Sequence, residues 1–290
     1  MIEVSNCVVC NGAIQPLKRA LVAPFVAKRI WNRTPFCVDL VECESCGLRF
    51  YNPRLDDDDL GRLYAGYHSR EYQEMRHAFE PWYTPKFNAD LFSASSYIDR
   101  RAKLSPILRK VVGQRNIRRI LDYGGDRGDL VVNLLDGAEA FVYDISGAEP
   151  TKGAIATANP AECKPDLTIN SNVLEHVGFP KQVVSKMLEI APQGSLVFLE
   201  VPLESPFGAK RIARRVAQIA VSAITRPALV RHIANPASLY MMHEHINYFS
   251  EKPLAVLMQV SGGTVIAAGT YSSTSRAGDG MLAWCLGSKT

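Results

Sequence analysis

Two periods alternate along this chain. Short, nearly continuous apolar runs (ILDY at 120–123, AEAFVYD ending at Asp144, DLTI at 166–169, SLVFLEVP at 195–202) have the length and character of strands buried on both faces. Between them, apolar residues recur every three or four positions, from about Asp129 onward and again in PKQVVSKMLEIAP at 180–192, which predicts amphipathic helices. Strand and helix in turn predict an α/β fold with a Rossmann-like, doubly wound sheet. The last stretch, GGTVIAAGTYSSTSRAGDGMLAWCLGS, predicts two strands about a polar turn, suited to an antiparallel edge.

Two segments depart from this alternation. Residues 53–105 are rich in aromatics (Tyr64, Tyr67, Tyr72, Phe79, Trp82, Tyr83) and form a helical connecting segment, either ordinary packing or a lid. Asp56 to Asp59 suit the first turn of a helix, where carboxylates complement the positive end of the macrodipole. Residues 205–236 contain Lys210, Arg211, Arg214, Arg215, Arg226 and Arg231, with no acidic residue between Glu204 and Glu244. There Ile212, Val216, Ile219 and Ala223 recur at helical spacing, with Arg211, Arg214, Arg215, Gln218 and Ser222 opposite. Such a helix buries its apolar stripe against the domain or a second copy of the chain, binds a phosphate-bearing substrate, or lies on an acidic membrane surface.

Composition narrows the class. The 290 residues carry a net charge of +4 and are 47% hydrophobic, which suits a globular chain and gives no sign of a nucleic-acid partner. No apolar run reaches the roughly 18 residues of a membrane span and the start lacks a secretory signal, so a cytoplasmic protein with reduced cysteines is expected. Four of the seven cysteines form two knuckles, CVVC (Cys7, Cys10) and CESC (Cys43, Cys46), the spacing that aims four thiolates at one structural zinc ion. The expected organisation is a zinc ribbon at 1–52, the connecting segment at 53–105 and the sheet domain at 106–290. Cys37, Cys163 and Cys285 are expected to be small buried apolar residues.

The loop YGGDRGD after the first strand fits neither phosphate-binding pattern: a dinucleotide fingerprint needs glycine where Asp126 and Asp129 stand, and the P-loop Lys-Ser/Thr pair is absent. Asp122, Gly124, Gly125 and Gly128 instead resemble the first motif of class I S-adenosylmethionine-dependent methyltransferases, with Asp126 in place of the middle glycine. The resemblance implies that Asp144, at the end of the second strand, holds the ribose, and that Ser171 and Asn172, after the third, run beside the methionine part of the cofactor. From Cys7 to about Tyr271 the order of motifs (paired knuckles, CGLRFYNPRL, the glycine loop, HEHINYFS) is similar to zinc-containing methyltransferases of sugar and polysaccharide pathways, including nucleotide-sugar C-methyltransferases.

That similarity implies methyl transfer to the oxygen or carbon of a sugar or related small metabolite, phosphate-bearing or nucleotide-linked acceptors included, with Glu244 and His245 as acid–base residues. His176, in LEHV, is read as positional. Met242 stands where the resembled family has a tyrosine, and the chain lacks that family's further carboxy-terminal domain, so oxygen is at least as good an acceptor atom as carbon. A homo-oligomer and peripheral membrane contact are compatible with the sequence. The alternative is a catalytically degenerate binding protein that docks a partner through the ribbon and basic helix.

Overall fold

The computed structural model describes residues 1–91, 94–275 and 278–289. The first part of the chain forms β1 (Ile14–Leu21), α1 (Pro24–Trp31), β2 (Cys37–Cys43) and β3 (Arg49–Asn52), and the connecting segment forms α2 (Asp57–Tyr64), α3 (Arg70–Phe79), α4 (Pro85–Leu91) and α5 (Ala94–Val112). The rest contains β4 (Arg119–Tyr123), β5 (Glu139–Tyr143), β6 (Ala154–Ala156), β7 (Leu167–Ser171), α6 (Pro180–Ile190), β8 (Leu196–Pro202), α7 (Ala209–Thr225) and α8 (Pro227–Ile233). A 3-10 turn at Pro236–Tyr240 precedes β9 (Asn247–Tyr248), α9 (Glu251–Val260), β10 (Gly263–Ser275) and β11 (Gly278–Lys289).

The large sheet has the order β10-β11-β8-β7-β4-β5-β6, a mixed α/β sheet of seven strands. Strands β6, β5, β4, β7 and β8 are parallel, while β11 runs antiparallel to both β8 and β10. The polar turn expected between the last two strands lies outside the described residues. Strands β4, β7 and β8 are apolar without alternation because helices or loops cover both faces. The strand order reverses between β4 and β7, so a crevice opens beyond their carboxyl ends, where Gly124, Asp144 and Ser171 emerge.

One expected helix is missing. After the glycine loop the chain makes successive turns, with bonds from Gly128 N–H to Gly125 O, Val131 N–H to Gly128 O and Leu134 N–H to Val131 O. Gly128 and Asn133 adopt positive φ (76° and 58°), which interrupts helix propagation, yet Leu130, Val131 and Leu134 still bury against Leu104 and Leu108 of α5. The apolar period registered burial correctly and the backbone incorrectly.

The amino-terminal strands belong to a second sheet, β1-β2-β3-β9, whose last strand comes from HEHINYFS. The register pairs Arg49 with Tyr248 and Phe50 with Asn247. Antiparallel pairing of β1 with β2 closes the long interval between the knuckles, and α1, inserted at the far end, buries Phe25, Val26 and Ile30 beside Leu63 and Tyr72. Asp56 and Asp59 form a reciprocal capping box that starts α2, as the acidic run predicts. Cys163 and Cys285 are buried, whereas Cys37 is half-exposed on the sheet and departs from the expectation. No helix among the described residues is long and apolar enough to cross a membrane.

Phe198, at the centre of β8, is fully buried and stacks on Trp284 of β11 with ring centroids 5.8 Å apart. Phe198→Ala is expected to destabilise the protein by about 3–5 kcal/mol in urea unfolding, because the sheet on either side cannot collapse into the void.

Candidate active site

The glycine loop is shaped by contacts that admit no side chain. A Cβ on Gly125 would lie 2.0 Å from the carboxyl carbon of Asp122, and Gly124, at φ +82°, would meet Val173 at 2.9 Å. Asp126 takes a left-handed conformation (φ 54°), which aspartate tolerates, so the loop keeps its turn without the middle glycine. Asp144 fastens that turn: its carboxylate accepts from the backbone N–H of Asp126 at 2.8 Å and of Ser146 at 2.7 Å. Each carboxylate oxygen has a second lone pair, so the same group can still accept from a diol. Beside it Ile145 is 93% exposed, an apolar face at the mouth of the loop that sequence reasoning passed over.

Behind the loop Asp122 is 2% exposed and one of its oxygens has no partner. Burial, reinforced by Asp144, Glu200 and Asp129 against the opposing Arg100, raises its carboxyl to about 7. Ser171 is turned into a buried network: its hydroxyl donates to Glu200 at 2.7 Å, Arg100 binds both, and Tyr271 donates to the other Glu200 oxygen. Asn172, at φ 54°, stays exposed at the rim of the crevice.

The two histidine-bearing segments meet at this edge. His176 and His245 pack edge to face with ring centroids 4.6 Å apart. His176 Nδ1 donates to the Glu244 carbonyl at 3.1 Å and also meets the Tyr64 hydroxyl at 2.8 Å. A carbonyl only accepts, so the proton sits on Nδ1 and Nε2 presents a bare lone pair. Burial and the neighbouring His245 lower His176 to about 3, so it is neutral. His245 behaves oppositely. Burial pulls it down, but Glu204, whose Oε2 accepts from Nδ1 at 3.2 Å, outweighs that together with Glu175 and Glu244 and holds it at about 9. Glu204, opposed by burial but paired with both His245 and Arg211, falls to about 2.

Glu244 faces away from this pair. It is ion-paired with Arg76 of α3, which also holds Glu80 at 2.9 Å, and the other Glu80 oxygen lies 2.8 Å from His243 Nδ1. Burial opposes the charge on Glu244, yet Arg76 and the two flanking histidines keep its carboxyl far below the usual range. Arg76, Glu80 and Glu204 were not singled out in the sequence, and Tyr64 was named only as one of the aromatics of the connecting segment. Only Glu204 carried a signal, as an acid just beyond a strand end, while nothing local links Arg76 to Glu244, 168 residues away.

The aromatic segment covers this site. Tyr64 packs edge to face on His176 and Tyr67, and Tyr67 on Tyr72. His68 bonds Asp126 at 3.0 Å, joining the cover to the glycine loop. Met242, where a phenol was expected, is fully buried and has its backbone bonded to Leu21 and Ala23.

Away from the crevice, Cys7, Cys10, Cys43 and Cys46 converge, with Sγ–Sγ distances of 3.7 Å (Cys7–Cys46) and 3.4 Å (Cys10–Cys43) and all four sulfurs within 4.8 Å of one another. A tetrahedral site with Zn–S near ~2.3 Å separates its sulfurs by about 3.8 Å, so the donor set fits a zinc ion. Glu175, His176 and His245 also gather within 4.8 Å. With His245 charged, those three atoms are arranged to handle a proton.

No curated protein matches the chain. Among solved structures, the 1,6-didemethyltoxoflavin-N1-methyltransferase of Burkholderia thailandensis, bound to 1,6-didemethyltoxoflavin and S-adenosylhomocysteine, is 14% identical, covers 88% of this chain and 95% of its own, and has a TM-score of 0.51. The magnesium protoporphyrin IX methyltransferase of Synechocystis, bound to S-adenosylmethionine, is also 14% identical, over 82% of this chain and 100% of its own, with a TM-score of 0.44. At such identities the likeness is one of fold. The methyltransferase domain family matches residues 86–268, more than half of the chain and all of the glycine-loop crevice, so the protein belongs to that family and is an S-adenosylmethionine-dependent methyltransferase.

Proposed function

We propose that this enzyme methylates a sugar or a related small metabolite in polysaccharide or natural-product biosynthesis, on a hydroxyl oxygen in preference to a carbon. The reading is carried by one observation: a charged His245, held by Glu204, packs on a neutral His176 beside the cofactor crevice. A sugar hydroxyl is a weak acid and a weak nucleophile, so its methylation calls for a base stronger than free imidazole. Glu204 makes His245 such a base once it has given up its proton. Met242, sealed in the core, supplies no phenol for carbon chemistry.

In this proposal Asp144 accepts from the ribose diol and Ile145 lies against the adenine. The Asp122–Gly128 loop, with Ser171 and Asn172 at its rim, surrounds the methionine portion. Asp122 fits that role because an orphaned buried carboxylate suits a cationic, phosphate-free donor. The cofactor supplies an electrophilic methyl group on a sulfonium. His245 takes the acceptor proton as the new bond to methyl forms, Glu244 fixes the segment through Arg76, and the tyrosine cover excludes water. The four cysteines hold a structural zinc ion, with no open position for chemistry.

Asp144→Ala is expected to abolish S-adenosylhomocysteine binding by calorimetry. His245→Ala is expected to bind it normally and to lose about 10²–10⁴ of turnover with labelled cofactor and nucleotide sugars. Full turnover by that variant would remove His245 from the mechanism.

The base must be neutral to act, so kcat/KM should climb with pH and level off above about 9. Glu204→Gln takes away the carboxylate that raises His245, and its profile should level off at lower pH; superimposable profiles would refute the pair. Elemental analysis should find one zinc per chain, lost in Cys43→Ser with a fall in melting temperature. A metal-free wild-type protein of the same stability would exclude the zinc assignment.

A further inference from the structure

Helix α7 is seated by polar side chains and shows apolar ones to solvent. Toward the protein, Arg211 binds Glu204 at 2.9 Å and the Tyr248 hydroxyl at 2.7 Å, Arg215 and Ser222 are buried, and Gln218 is half-buried. The stripe read from the sequence is split: Ile212 and Ile219 are half-buried, whereas Val216 and Ala223 are exposed. Val216, Val221 and Ile224 are 53%, 43% and 82% exposed, and Ala217 and Ala220 between them are exposed too. At about 100° per residue these side chains and Ala223 fall within roughly 160° of the helix circumference. The face is therefore continuous, unlike a scatter of single apolar residues. The side chains of Lys210 and Leu229 lie outside the described residues.

The charges on this surface have one sign. No acidic residue stands between Glu204 and Glu244. Arg214 is exposed on the same side of α7 as Val221, two turns away, and Arg231 is exposed on α8, which begins directly after α7. Among the described residues neither arginine is paired with a carboxylate, and Arg231 bonds only His232 Nε2, at 3.1 Å.

The domain does not cover the apolar face, because the opposite side of α7 makes the contacts. A second copy packed on the same face about a two-fold axis would bring two basic surfaces together with no carboxylate to offset them. A bilayer with anionic headgroups suits both halves of the pattern: apolar side chains enter the boundary between headgroups and acyl chains, and arginines reach the phosphates along their own apolar stems. With 17 residues, and no helix among the described residues long and apolar enough to cross, α7 would lie flat on such a surface.

We propose that the outer face of α7, continued by α8, docks on an anionic membrane, with Val216, Val221 and Ile224 in the lipid and Arg214 and Arg231 on headgroup phosphates. The inner face of the same helix holds Glu204 through Arg211, so docking sets the acid–base pair one helix, about 10–12 Å, from the lipid. Docking of this kind is independent of which acceptor the enzyme methylates.

Sedimentation of the purified protein with phosphatidylcholine vesicles, with and without phosphatidylglycerol, tests this. Wild type should pellet with the anionic vesicles, bind neutral ones at least about tenfold more weakly, and be released by high salt. Val221→Ser combined with Ile224→Ser should lose at least about tenfold in affinity for anionic vesicles, and Arg214→Gln combined with Arg231→Gln a similar amount. Arg109→Gln, which removes an exposed arginine of α5 paired with Asp136, should match wild type. Every variant should keep the melting temperature and the S-adenosylhomocysteine affinity of wild type, because the replaced groups face solvent. Wild type that ignores anionic vesicles, equal binding to both kinds of vesicle, or an equal loss in Arg109→Gln would overturn the proposal. So would a dimer in solution that the Val221 and Ile224 changes dissociate while vesicles go unbound, since the face would then belong to a second copy.

Discussion

Asn247, 1% exposed, hydrogen-bonds in three directions, and the relation between the two histidine-bearing segments depends on it. Its side-chain N–H groups donate to the carbonyls of Leu174 and Val177, at 2.8 and 2.9 Å, on either side of His176. Its oxygen accepts from Arg54 at 2.8 Å, and its backbone N–H joins that of Ile246 on the Glu175 carbonyl. The turn leaving β7 and the segment that carries His245 into β9 are therefore locked by buried bonds. A buried amide satisfied on both ends specifies one geometry, and loss of one partner strands the others. His176 faces His245 because the backbones behind them cannot slide.

Charge is fixed with the same economy. Arg76 sits between Glu80 and Glu244 across the floor of the cover, His243 closes on Glu80, and Glu204 sits between His245 and Arg211. Networks of this kind contribute little net stability, since desolvation cancels much of the attraction, but they hold dipoles and charges in place before a reactant arrives. Two adjacent imidazoles thereby acquire opposite protonation states. The cover makes part of the network, because α2 brings Tyr64 to His176 and α3 brings Arg76 to Glu244. Moving the cover would change the electrostatics of the site along with its access to water.

The parallel sheet was legible because strands buried on both faces must be continuously apolar, and the glycine loop because close backbone contact excludes side chains. Asp56–Asp59 was legible as a cap for an equally local reason. The turns after Gly128 were not, since helical spacing records which side chains bury and is blind to the positive φ at Asn133. The sequence left the placement of α7 open; in the structure Ile212 and Ile219 are half-buried while Val216 and Ile224 are exposed and Arg215 is buried, a mixed face that helical spacing of apolar residues does not record. The pairing of Arg76 with Glu244 and of Tyr64 with His176 stayed invisible because these partners lie far apart along the chain, and only the folded topology brings them together. Asn247 lay inside a motif already singled out, but an asparagine between Ile246 and Tyr248 gives no hint of its hub role.

The four cysteines acquire a purpose from the same connectivity. Strand β3 follows the second knuckle and pairs with β9, and Cys43 N–H bonds the Leu48 carbonyl just before β3 begins. Leu48 and Phe50 pack into one core with Cys7, Cys43, Cys46, Leu174 and Phe249. A sheet of short strands buries too little apolar surface to be rigid by itself, which is the situation in which a metal cross-link contributes most. A zinc ion at the knuckles would stiffen β3, β3 would register β9, and β9 begins at Asn247 itself. The ribbon thereby bears on the position of His245, two residues before Asn247, from outside the crevice.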